Sequence, residues 1–235
     1  QASGSVAGQR PCRTNWFELT QSLLSAVDIP CPWSLIREMS VSIPGAPCPF
    51  PIPRVSGSRH SFLSDFANYH CNDMVVDNDG RGYIGNFGFN SHAGDPFRAA
   101  NFIRVDPDGS VSVAATNLAF PNGSVITPDG QTLIVAETRG NILTAWDRAP
   151  DGSLSNRRIW ADLDGGFPDG ICLDAKGAVW VADPRNNETI RVLEGGKITN
   201  RISTGNRGSF ACMLGGPERR TLFICTCLQS GPGTA

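Results

Sequence analysis

The stretches CNDMVVDNDGRGYIGN (71–86), PNGSVITPDGQTLIVAE (121–137) and PDGICLDAKGAVWVAD (168–183) share one arrangement: a polar residue, an apolar run, a glycine turn and a second apolar run. Asn72, Asn122 and Asp169 fall in register, 50 and 47 residues apart, and each stands eight residues ahead of a glycine, Gly80, Gly130 or Gly177. Val75-Val76, Val125-Ile126 and Ile171-Cys172-Leu173 supply a first strand. Tyr83-Ile84, Leu133-Ile134-Val135 and Val179-Trp180-Val181 supply a second, rich in the β-branched and aromatic residues that suit a pleated surface. The glycine between them accepts the positive φ that a tight hairpin turn demands. A fainter fourth copy, FACMLGGPERRTLFICT (210–226), puts Phe210 at the anchor position, 41 residues after Asp169.

A second series keeps the same period. FIRVDPDGSVSV (102–113), LTAWDRAPDGSL (143–154) and IRVLEGGKI (190–198) read as further hairpins, their turn glycines Gly109, Gly152 and Gly196 spaced 43 and 44 residues apart. Two hairpins per repeat make a four-stranded antiparallel sheet every 40 to 50 residues. That pattern predicts an all-β chain built of β-propeller blades. Helical repeats of this length fit poorly, because the apolar residues alternate or run in short blocks bounded by Gly, Pro and Asp. About three and a half blades are recognisable, so the propeller expected over 61–235 is incomplete. Residues 1–60 carry no repeat, and VDIPCPWSL and IPGAPCPFPIP are dense in proline, which removes the N–H a central strand needs. That segment is expected to be irregular or a degenerate blade.

With 20 basic and 22 acidic residues, the net charge of −2 offers no basic surface for nucleic acid or an anionic membrane. No apolar run approaches the roughly 18 residues of a spanning helix, no signal peptide is visible, and the cytoplasm is the expected compartment. The eight cysteines are too dispersed for a disulfide framework and form no CxxC pair. Cys71, Cys172, Cys212 and Cys225 lie on or beside apolar strand runs and are expected to be buried thiols.

In a propeller the first strand of each blade lines the central channel, so residues at equivalent places converge on one axis. Asn72, Asn122 and Asp169 should therefore point to one mouth of that channel. Two carboxamide oxygens and a carboxylate form a hard-oxygen set suited to Ca²⁺ or Mg²⁺, with Zn²⁺ or Mn²⁺ as alternatives. The plainer reading is turn chemistry, since Asn and Asp hydrogen-bond their own backbone in loops. Asp77 and Asp174, each three residues before a turn glycine, are read that way.

The segments FPNGSVITPDGQTLIVAETRGNILTAWD and FPDGICLDAKGAVWVAD, preceded by CNDMVVDNDGRGYIGNFGF, resemble the senescence marker protein 30/gluconolactonase family over about residues 62–228. The resemblance implies a six-bladed propeller that hydrolyses sugar lactones or related esters with one divalent cation on the channel axis. It implies metal binding for Asn122 and for Asp169, the latter also as general base. For Asn72 it implies substrate contact or completion of the cation shell. His70 stands where several members carry an arginine and would help to orient substrate. The family's fourth ligand, a glutamate in an EGP motif, has no counterpart here: Glu18 and Glu38, the only glutamates before position 137, lack that context.

The expected activity is divalent-metal-dependent hydrolysis of a sugar lactone, with calcium the first candidate cation. The cation would polarise the lactone carbonyl and lower the pKa of a bound water. Asp169 would take the proton, and Asn72, His70 and Asn86 would orient sugar hydroxyls. GxSxG is absent, which disfavours acyl-enzyme chemistry. A small-molecule lactone is the expected partner, with no nucleic acid, membrane or obligatory protein partner. The alternative is a non-catalytic propeller, a ligand-binding or interaction module whose metal site has decayed.

Overall fold

A computed structural model describes residues 63–91 and 93–228; the segment 1–60, expected to be irregular, lies outside the described residues. Among the described residues, fourteen strands alternate with turns and loops. β1 (Cys71–Val76), β2 (Gly82–Asn86), β3 (Ala100–Val105) and β4 (Val111–Leu118) pair in that order as one antiparallel sheet. The second sheet joins β5 (Pro121–Ile126), β6 (Thr132–Glu137), β7 (Ile142–Arg148) and β8 (Leu154–Asp162). The third joins β9 (Ile171–Leu173), β10 (Val179–Asp183), β11 (Glu188–Val192) and β12 (Ile198–Ser203). β13 (Arg207–Gly215) and β14 (Thr221–Leu228) pair as a two-stranded sheet. The repeat read from the sequence is thus realised as sheets of the propeller type. No helix among the described residues is long and apolar enough to cross a membrane.

The sheets are stacked side by side, and their middle strands are buried on both faces. On β6, Leu133 and Val135 pack with Tyr83 and Phe102 of the first sheet, while Ile134 and Ala136 pack with Val179, Val181 and Ile190 of the third. Strand side chains alternate between faces, so one apolar run serves two interfaces. Full burial of each large side chain stabilises by roughly 1.5–3 kcal/mol. Between the third and fourth sheets the contact is made by Cys172, Ala182 and Cys212. Both cysteines are buried free thiols with Sγ atoms 3.9 Å apart; Cys71 and Cys225 are free and half-buried.

The first strands β1, β5, β9 and β13 lie against one another in sequence order. Two glycines make this possible. A Cβ on Gly123 would lie 2.5 Å from the Ile171 nitrogen, and one on Gly170 would lie 2.9 Å from the Ala211 Cα. Gly123 N–H donates to the Asp169 carbonyl at 3.2 Å, and Gly170 N–H to the Phe210 carbonyl at 2.9 Å. Each glycine directly follows an anchor residue, so this close approach sets the distance between Asn122 and Asp169.

The far end of each first strand closes in a turn held by a polar side chain. The Asp77 carboxylate accepts from the N–H groups of Asp79 and Arg81 at 2.9 and 2.8 Å. Asp174 does the same for Lys176 and Ala178 at 2.8 and 3.1 Å. Both act as hairpin residues, as their spacing from the turn glycine predicts.

Candidate functional site

Asn72 and Asp73 lie on β1, Asn122 on β5, and Asp169 two residues before β9. All four sit at the same end of their sheets. Asn72 Nδ2 donates to the Pro121 carbonyl at 3.4 Å, which ties the first anchor to the strand of the second. The Asn122 amide and the Asp73 carboxylate are both close enough to act on the Asp169 carboxylate, the amide favouring its charged form and Asp73 opposing it. The three anchors expected to share an axis, Asn72, Asn122 and Asp169, are therefore linked through direct neighbours.

Asn122 is buried, and its orientation is fixed from outside the site. Its Nδ2 donates to Thr138 Oγ1 at 3.1 Å, and the Thr138 hydroxyl donates in turn to the Pro168 carbonyl at 2.7 Å. That relay leaves Asn122 Oδ1 buried with no hydrogen-bond partner. A buried amide oxygen without a donor costs about 1–3 kcal/mol, so its retention points to a ligand.

The two carboxylates carry the electrostatic signature of the site. Burial pushes the Asp169 pKa well above the ordinary value; the negative charge of Asp73 adds to this, the Asn122 amide opposes it, and Asp183 raises it further. Burial alone pushes Asp73 up to about 6. Two desolvated carboxylates that repel one another are stabilised by a cation placed between them. Among the described residues no cluster of three or more His, Cys, Asp or Glu side chains is placed to hold a metal. The donor set is instead mixed, with two carboxylates and the Asn122 amide oxygen, all hard oxygens, and this chemistry fits a divalent cation.

Asp73 and Thr138 are absent from the sequence reading. In register, Asp73 occupies the position that the next blades fill with Gly123, Gly170 and Ala211. A carboxylate where the pattern otherwise holds glycine or alanine was the available signal. Thr138 gave none, because its acceptor, the Pro168 carbonyl, is 30 residues away.

Asn86, expected among the substrate contacts, has no exposed surface, and its carboxamide is committed to the protein. Its Nδ2 donates to the Asn101 carbonyl at 2.6 Å and its Oδ1 accepts from Gly88 N–H at 3.0 Å. Glu137 and Asp183 end the second strands of the next two sheets in the same way. Glu137 accepts from Ala119 N–H at 2.6 Å, and Asp183 from Arg185 and Asn186 N–H at 3.0 and 2.9 Å. These three buried groups brace the loops, and Asn86 therefore leaves the binding set. His70 is exposed just before β1; its carbonyl accepts from Phe87 N–H at 3.0 Å and its ring lies 4.2 Å from that of Tyr69.

Residues 55–228 match the SMP-30/Gluconolactonase/LRE-like region. The chain belongs to that family. It is 26% identical over 168 residues to pentonolactonase from Haloferax volcanii, covering 70% of this chain and 55% of that protein. The solved gluconolactonase of Xanthomonas campestris superposes with a TM-score of 0.56 at 30% identity, covering 66% of this chain and 54% of the other. A calcium-binding regucalcin from Agrobacterium tumefaciens superposes with a TM-score of 0.57 at 22% identity over 66% of this chain and 52% of its own, a likeness of fold alone. This family member spans about half the length of the curated relatives it matches.

Proposed function

We propose that this chain is a divalent-cation-dependent hydrolase of sugar lactones. The observation that carries the reading is the partnerless buried Oδ1 of Asn122 beside the Asp169 carboxylate. The names of the Haloferax and Xanthomonas relatives support a small cyclic ester as substrate. Asn122 and Asp169 would hold the cation, with Asp73 adding negative charge and Asn72 at the margin. Calcium is the first candidate because every donor is oxygen. When bound there, the cation would polarise the lactone carbonyl and lower the pKa of a water.

Asp169 takes a proton from the attacking water as the water oxygen bonds to the carbonyl carbon. The ring C–O bond then breaks and the proton passes to the departing ring oxygen, which gives the open-chain hydroxy acid. Asn72 gives its amide nitrogen to the Pro121 carbonyl, which leaves its Oδ1 to accept from a substrate hydroxyl. His70, at the exposed rim, contacts the far side of the sugar. The buried free thiols of Cys172 and Cys212 favour a reducing compartment such as the cytoplasm.

The test is hydrolysis of gluconolactone by the full chain with calcium or with EDTA, for wild type and Asp169→Ala. Chelation should abolish turnover, and the variant should lose about 10²–10⁴-fold in kcat/KM. Turnover that resists EDTA, or full activity in the variant, ends the reading. Ligand binding without turnover is the second reading, favoured by a donor set that holds two carboxylates among the described residues. Its mark would be a cation-dependent rise in Tm with no lactone hydrolysed.

A further inference from the structure

The loops at the anchor end of the first sheet enclose a hollow outside the site just described. It is a hollow of about 260 Å³ whose lining includes Tyr69, Phe89 and Phe97 together with Asn68, Asp95 and Arg98. That volume is just below the roughly 300–1,000 Å³ of sites for drug-sized ligands, so it suits one small ring.

Three observations put the hollow beside the anchors. Tyr69 lies three residues before Asn72. The Phe89 ring meets Phe97 edge-on at 5.6 Å and Phe120 edge-on at 6.2 Å, and Phe120 immediately precedes Pro121 and Asn122. Phe120 is held in the left-handed region with φ 64°, strain that a bulky residue accepts only where its surroundings impose it, commonly at a ligand site. A row of aromatic rings thus runs from the cation-site strand to the hollow, and Phe97 at its outer end is 58% exposed.

The polar groups of the hollow are largely unspent. Asn68 gives its Nδ2 to the Ala99 carbonyl at 3.4 Å, which leaves its Oδ1 free to accept. Asn90 accepts from Ala93 N–H at 3.1 Å and keeps its Nδ2 to donate. Asp95 and Arg98 form no ion pair among the described residues. Exposed aromatic faces carry partial negative charge and attract the C–H face of a pyranose ring. Carboxylate, carboxamide and guanidinium groups accept or donate in pairs that match neighbouring hydroxyls. Asp95 and Arg98 bring one charge of each sign, so the hollow has no net charge to favour an ionic ligand over a neutral polyol.

We propose that this hollow binds a second sugar ring, so that the preferred substrates are lactones of glycosylated aldonic acids; the proposal rests on the lactonase reading. Full-chain kcat/KM is measured for lactobionolactone and gluconolactone, in wild type and Phe97→Ala. The wild type should favour the disaccharide lactone. Phe97→Ala should lose about tenfold on it, the worth of one aromatic stacking contact, and leave gluconolactone unchanged. Equal kcat/KM for the two lactones overturns the proposal, as does an equal loss on both or a preference that survives Phe97→Ala. If neither lactone is hydrolysed, the lactonase reading fails by itself, and calorimetry with lactobionate and gluconate decides the hollow. Lactobionate binding that Phe97→Ala weakens then supports it, and binding that is absent, or indifferent to Phe97, overturns it.

Discussion

The two ends of the same inner strands are electrostatic opposites. Asp73, near the start of β1, is pushed up by burial, while Asp77, just beyond the end of the strand, is held below the ordinary carboxylate range. β9 repeats the contrast, with Asp169 raised just ahead of the strand and Asp174 lowered just beyond it. Burial raises all four; the difference lies in the partners. Asp77 accepts from the Arg81 backbone and pairs with the nearly buried Arg148 guanidinium, and Asp174 pairs with Arg191 at 2.6 Å. Asp169 meets the negative charge of Asp73 and the Asn122 amide instead. One end of the sheets is saturated and ties neighbouring sheets together; the other is left short of positive charge.

Arg148→Ala should produce the largest change of stability, because it removes the more buried of the two guanidinium groups on the buried Asp77 carboxylate and leaves only Arg81, at 3.3 Å. A loss of about 2–3 kcal/mol is expected, the worth of one charge-assisted hydrogen-bonded partner, read as a fall in the denaturation midpoint. A shift below about 1 kcal/mol would mean that the saturated end does not hold the sheets together.

The same pair sets a pH dependence. The folded pKa of Asp77 is lowered, so its contribution is complete above the unfolded value and is lost as pH falls through the folded one, below about pH 4. The advantage of wild type over Asp77→Asn in Tm should accordingly be full at pH 7 and shrink below pH 4. A gap that stays constant with pH would remove the charge from the explanation.

At the open end, Thr138→Val should free the Asn122 amide to rotate. Calcium affinity measured by calorimetry should fall about tenfold or more, the cation-free chain should lose about 1–3 kcal/mol of stability with the relay's hydrogen bonds, and Thr138→Ser should restore both. A Thr138→Val chain that binds calcium like wild type would show that the relay does not orient the ligand. The smallest effect belongs to Asp73→Asn. Removing one of two repelling carboxylates should raise Tm of the cation-free chain slightly, by less than about 1 kcal/mol of stability, and weaken the rise that calcium causes. A lowered Tm without cation would contradict the stated repulsion.

The parts of the site visible in the sequence were those that repeat. Asn72, Asn122 and Asp169 share a fixed distance to a turn glycine, and that regularity is independent of packing. Asp73 was hidden beside an anchor, although Gly123 and Gly170 at its register position mark it as the exception. Asn86 was misread in the opposite direction. A polar residue at a strand end looks available, but Glu137 and Asp183 in the same register show buried side chains that brace loops. Thr138 and the aromatic row from Phe120 to Phe97 had no signature at all, since their partners come from loops tens of residues apart.

The sequence alone determined the four-stranded repeat, its turns and its anchors, because alternation of side chains and the glycine turn are local properties of the backbone. Only the tertiary structure decided which polar groups are left unpaired. Whether a carboxylate meets an arginine, as Asp77 does, or another carboxylate, as Asp169 does, depends on which sheet packs beside it.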